Sequence, residues 1–185
     1  MKTYATIACA ALLAVSCASG RKYQDRNMDF GAIKTVAVLP FTNLSRDTLA
    51  GERVRDVYSS FLLASGAVYV LPQGEVGRGL SRAAVAVVST PSTEEVVRLG
   101  KTLAADAVMV GVLKEYGEVR SGNSAANAIS LSLQLVETQT GKVIWAASTT
   151  KGGITFWDRL FGGGGEPMND VTEDAARDLL HKLFK

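Results

Sequence analysis

Between residues 107 and 149 the hydrophobic pattern turns to a period of two, and that block limits the fold more than any other part of the chain. The stretches 107–119 (AVMVGVLKEYGEV), 129–137 (ISLSLQLVE) and 143–149 (VIWAAST) read as three successive strands. Ser130 and Ser132 alternate with Leu131, Leu133 and Leu135, which marks a strand with one wet and one dry face. Residues 120–128 read as a polar loop. Gly141 within 138–142 makes the second connection a hairpin.

Upstream the pattern alternates between strand and helix. Residues 33–41 (IKTVAVLPF) form a buried run ended by Pro40, whose missing N–H cannot continue a central ladder. A helix is expected near 48–64, where Leu49, Val54, Val57, Tyr58, Phe61 and Leu62 recur at helical spacing, with Ser65-Gly66 as its stop. A short strand at 67–71 precedes Pro72, and the glycine-dotted 73–84 is a weaker helix. Ser92 and Glu95 have the spacing of a capping box opening a helix over 93–104. A last helix, about 171–184, carries Val171, Ala175, Leu179 and Leu183 on one stripe and starts at Asn169 or Asp170. The order βαβ(α)αβββα predicts an α/β domain, a mixed sheet of about five strands with helices packed on its faces.

The first residues serve addressing rather than folding. Lys2, the apolar run 4–15 and the small residues after it have the form of a secretory signal. The run is too short for a membrane-spanning helix, which needs about 20 apolar residues. Ala14-Val15-Ser16-Cys17 resembles a bacterial lipobox, in which cleavage precedes a cysteine that becomes acylated. Cleavage that leaves Cys17 unmodified is the other outcome. Loss of residues 1–16 removes Cys9 and leaves Cys17 alone, so no internal disulfide forms, and lipidation accounts for the odd cysteine. Several acyl chains on one residue give stable anchoring where one chain is marginal. The expected organisation is a signal peptide 1–16, a lipidated tether 17–32 and a single periplasmic domain 33–185. Ala18, where sorting by resemblance to the enterobacterial scheme would need Asp for inner-membrane retention, favours the outer membrane.

Composition argues against catalysis. With one histidine and two cysteines, a zinc site of three or four ligands lacks donors, and any Ser/His/Asp relay has to run through His181. That residue lies in the last helical turn, where a cation suits the helix dipole. Gly100-Lys101-Thr102 resembles a P-loop end, but Glu95 stands where the motif needs glycine. Gly122-Asn123-Ser124 sits between strands, not at the strand-to-helix turn of a nucleophile elbow. The pairs Glu94/Glu95 and Glu115/Glu118 occupy ordinary solvated positions. No cofactor or metal is expected. A formal charge of +2 gives no field for nucleic acid.

One segment stands out chemically. In 152–167 (GGITFWDRLFGGGGEP) the apolar residues Phe156, Trp157, Leu160 and Phe161 are crowded between glycines on both sides. Three readings are open: a loop folded over its own sheet, a partner or subunit contact anchored by Trp157, or a dip into the lipid interface, where Trp is favoured.

The residues 34–43 (KTVAVLPFTN), Val68-Tyr69-Val70, Ala105-Asp106 followed by a strand with Gly111, and the hairpin 135–145 (LVETQTGKVIW) together resemble the periplasmic lipoproteins around CsgG and LpoB. The resemblance spans roughly 33–150 plus the terminal helix. It implies a non-catalytic, outer-membrane-anchored factor that binds envelope proteins in secretion, surface-structure assembly or peptidoglycan-synthase regulation. Exposed sheet edges or the 152–167 loop would make the contacts, and a ring or small homo-oligomer is compatible with them. An oligomeric secretion channel of the CsgG type is the alternative. It requires about four membrane strands of 9–11 residues beyond the soluble fold, and the sequence offers no such hairpins. An enzyme acting on envelope material and a structural role in wall or pilus attachment are the remaining classes.

Overall fold

The computed structural model describes residues 22–121, 124–153 and 165–185. Seven described strands form one mixed sheet in the order β1-β7-β6-β5-β2-β4, with β3 also on β5. They are β1 (Lys22–Gln24), β2 (Thr35–Val38), β3 (Thr42–Asn43), β4 (Tyr69–Val70), β5 (Ala107–Ser121), β6 (Ser124–Glu137) and β7 (Val143–Gly152). The helices are α1 (Ala50–Ala64), α2 (Gln73–Arg82), α3 (Thr93–Leu103) and α4 (Met168–Phe184). β2, β3, β4 and β5 pair in parallel, and β5, β6, β7 and β1 pair antiparallel. The parallel half needs long crossovers, which α1 and the α2–α3 pair supply, whereas the antiparallel half needs only tight turns. No described helix is long and apolar enough to cross a membrane.

The pleat divides the core into two layers. Val36, Val38, Met109, Leu131, Leu133, Leu135 and Trp145 face α1 and α4, whose Val54, Tyr58, Leu62, Val171, Ala175 and Leu179 meet them. On the other face Ala37, Leu39, Val108 and Val136 meet Val76 and Leu80 of α2 and Val96 and Leu99 of α3. Each large apolar side chain buried this way contributes about 1.5–3 kcal/mol. The stripe read for the last helix and the alternation of Leu131, Leu133 and Leu135 with Ser130 and Ser132 hold: the leucines are buried and the serines only partly so.

Four expectations need correction. The strand read over 33–41 is split: β2 ends at Val38, the Leu39 amide still donates to the Met109 carbonyl at 3.0 Å, and after Pro40 the chain re-pairs as β3. The loop read over 120–128 is mostly strand. The β5/β6 hairpin keeps its register through Val119↔Ala126 and Arg120↔Ala125 to Ser121↔Ser124, because backbone pairing propagates through alanines that are themselves weak strand formers. The tether read over 17–32 contributes β1, which pairs with Trp145, Ala146 and Ala147 at the edge of β7, and a 3-10 turn at Phe30–Ala32; the sheet therefore has seven strands instead of five. Helix α4 starts at Met168 behind Pro167 with no side-chain cap, and Asn169 donates to Glu173 instead.

Tyr58 is fully buried against Phe41, with ring centroids 6.5 Å apart, and its hydroxyl has no partner among the described residues. Burial pushes its ionisation far up. A buried hydroxyl without a partner carries a desolvation penalty. Tyr58→Phe is therefore expected to leave stability unchanged or raise it by about 1 kcal/mol in urea unfolding. A loss of that size would mean that the hydroxyl is satisfied after all.

Candidate interaction surfaces

The motifs that carry the family resemblance are architectural. Asn43 builds the entry to α1: its amide donates to the carbonyls of Asp47 (2.7 Å) and Thr48 (3.3 Å), and its side-chain oxygen accepts from the Ser45 amide and hydroxyl. Both amides at the start of β2, Lys34 and Thr35, donate to the Asp106 carboxylate at 2.9 Å. The Thr138 hydroxyl donates toward the carbonyls of Ala105 (2.5 Å) and Asp106 (2.9 Å), and a Cβ on Gly100 would lie 2.2 Å from the Thr138 Cβ. The glycine of the Gly100-Lys101-Thr102 triplet is thus a seat for a threonine, not a phosphate cradle.

The other candidates for chemistry have similarly plain positions. His181 is exposed on the last turn of α4. Ser92 and Glu95 form the expected capping box, and Glu95 also accepts from the Ala86 amide at 2.7 Å. Those backbone donors at Ala86 and Ser92 hold the Glu95 carboxyl below its usual range. Ser124 opens an antiparallel strand, and Glu118 pairs with Arg120. Asp178 is partly buried, which works against its charge, but Lys182, Thr149 and Lys151 more than offset this and lower its pKa. This cluster docks α4 on β7, where Lys182 Nζ also donates to the Ser148 carbonyl. Among the described residues no group of His, Cys, Asp or Glu could hold a metal ion.

Cys17, Phe156, Trp157, Leu160 and Phe161 lie outside the described residues. The chain on both sides of 154–164 is described, and Asn127 holds both ends. The Gly153 amide donates to the Asn127 carbonyl at 2.8 Å, and the Asn127 side-chain amide donates to the Glu166 carbonyl at 2.8 Å. Gly152 has φ +72, and a Cβ there would lie 2.1 Å from the Asn127 carbonyl oxygen, so only glycine fits this exit from β7. Nothing in the sequence pointed to Asn127, because its partners come from β7 and from the approach to α4.

Three stretches of sheet edge are open among the described strands: β1, β4 and the outer side of β5 beyond Leu113, where β3 ends with the Leu44 amide on the Leu113 carbonyl. Leu44, Leu63, Tyr69 and Val87 are exposed apolar side chains. A cavity of about 190 Å³, walled by Ile33, Leu62, Val68, Met109 and Leu183 among others, is small beside ligand pockets of about 300–1,000 Å³. Among the described residues the arrangement offers exposed apolar side chains and open strand edges and brings no set of reacting groups together.

Comparison with known proteins fits that geometry. The PelC dodecamer from Paraburkholderia phytofirmans shares the fold, with a TM-score of 0.59 at 17% identity over 89% of this chain and 96% of that one. Lipoprotein GNA1162 from Neisseria meningitidis gives 0.57 at 16% identity, over 82% and 98%. The LpoB C-terminal domain from Salmonella enterica gives 0.50 at 14%, over 68% and 86%. No curated protein sequence matches. The family described as peptidoglycan-synthase activator LpoB matches residues 14–150, well over half of the sequence, and the chain belongs to that family.

Proposed function

We propose that this chain is a lipoprotein held at the periplasmic face of the outer membrane by acyl chains on Cys17, and that its domain activates a peptidoglycan synthase by binding it. The family match over residues 14–150 carries this reading; it includes the Ala14-Val15-Ser16-Cys17 sequence as well as the sheet. The contact is assigned to Phe156, Trp157, Leu160 and Phe161, in the sequence between Gly153 and Glu166, both of which bond to Asn127. The domain does no chemistry itself. Purified protein added to a peptidoglycan synthase from the same cell should raise its polymerisation rate about 5-fold or more, the range of ordinary coupling energies. An unchanged rate with demonstrably folded protein would sink the proposal. In the same assay Trp157→Ala should weaken activation with little change in melting temperature. A large drop in melting temperature would identify the segment as cover for its own sheet.

Anchoring is tested separately. Cys17→Ala should leave the protein either in the soluble fraction or as an uncleaved precursor. Mutant protein that stays in the pellet after salt washing and processing refutes the lipid anchor. The dodecameric assembly of the PelC neighbour favours a second reading in which the domain works as a homo-oligomer, as a CsgG-type secretion component would. Light scattering of the detergent-solubilised lipoprotein distinguishes a ring from a monomer.

A further inference from the structure

We propose that the part of the sheet face beside α2 and α3 that no described helix covers binds an uncharged glycan chain. This inference is independent of synthase activation. On that face the register sets Val110, Gln134, Ala146 and Tyr23 in a row across four strands, and Val112, Ser132 and Ser148 in the next row across three. Helices α2 and α3 cover only the end of the face around Ala37, Val108 and Val136. Two grooves of about 370 and 330 Å³ lie on the rest and share Ser132 and Gln134. One begins under Thr90, Pro91 and Thr93 at the start of α3, and the other runs out at Tyr23 on β1. The resulting trough crosses three strand spacings, about 14 Å.

The chemistry of the trough selects its occupant. Neither row contains a charged side chain; Lys22 and Glu115 stand at its rim. An anionic polymer or a nucleic acid would need a basic lining. A partner helix would need an apolar stripe under its whole length, but Val110 and Val112 lie at one end while Gln134, Ser132 and Ser148 occupy the middle. A sugar ring carries C–H groups on its faces and hydroxyls around its edge. The two valines, Ala146 and the half-exposed ring of Tyr23 suit the former. The Gln134 amide and the Ser132 and Ser148 hydroxyls supply the donors and acceptors that the latter need, and among the described residues no side-chain hydrogen bond occupies them.

The test is titration of the isotope-labelled mature lipoprotein in detergent micelles with chitotetraose, the uncharged tetramer of N-acetylglucosamine, followed by amide chemical shifts. Saturable shifts confined to β6, β7, Tyr23 and the start of α3 are expected. Tyr23→Ala and Gln134→Ala should each weaken binding about 5-fold, the equivalent of one lost contact, with melting temperature unchanged. The absence of saturable shifts, shifts on the α1/α4 face, or tighter binding of a sulfated tetramer each overturns the proposal. So does perturbation of these amides by the synthase but not by chitotetraose, which would make the face a protein-docking surface. Synthase activation that fails while chitotetraose binds would remove the proposed function and leave this inference standing.

Discussion

Trp145→Ala is expected to cost about 4 kcal/mol, within the 3–5 kcal/mol typical of deleting a buried aromatic side chain, and urea unfolding with an unchanged slope measures it. The indole is fully buried on β7 between Gln24 of β1 and Leu135 of β6, and its Nε1 donates to the Lys182 carbonyl at 3.1 Å near the end of α4. One side chain therefore joins the sheet to the helix that closes its main core layer. Stability of a domain this size is about 5–15 kcal/mol, so the variant should sit near the edge of folding and be depleted in cells. Trp145→Phe keeps most of the ring volume and loses the hydrogen bond, and should cost about 1–2 kcal/mol. Equal losses for the two variants would show that the bond, not the filled volume, dominates. A loss below about 1 kcal/mol for the alanine variant would contradict the packing described.

What could be read in the sequence was whatever depends on near neighbours. The Ser92/Glu95 box, the α4 stripe, the hairpin at Gly141 and the wet serines of β6 are each set by side chains a few positions apart, where periodicity and capping act. Strand β1 was not legible: Lys22, Tyr23 and Gln24 are all exposed, and an edge strand held by backbone pairing to β7 needs no hydrophobic alternation. The outer half of the β5/β6 hairpin was missed because its small and polar residues look like loop, although the pairing resumes after the irregularity between Leu113 and Glu115 and runs unbroken through them. The two-residue β3 is shorter than any pattern can show.

Surfaces were still less legible. The aromatic cluster at 156–161 announces itself by composition, but the clamp at Asn127 and the rows across β5, β6, β7 and β1 exist only once register is known. The same holds for the motif residues. Asp106 and Thr138 have partners that chain spacing cannot reveal, so they first read as signature and only in three dimensions as support for the start of β2 and the end of α3. These positions set the architecture. A family defined by such positions shares a scaffold more strictly than it shares a contact surface.

Another of these interlocks joins Phe41 to Gly111. A Cβ on Gly111 would lie 2.3 Å from the Phe41 Cδ1, and the ring is 7% exposed and packed against Tyr58. Gly111→Ala should cost about 2 kcal/mol as overpacking, and Phe41→Ala about 3–5 kcal/mol as a cavity. In the double variant the methyl group at 111 occupies space that the ring has left, which relieves the clash and fills part of the hole. The two losses are therefore expected to fall short of their sum by at least about 1 kcal/mol, the scale of coupling between residues in contact. Strict additivity would mean that the ring moves aside freely when Gly111 is changed. A shortfall ties the Phe41 and Gly111 motifs together as one packing unit between the turn after β2 and the centre of β5.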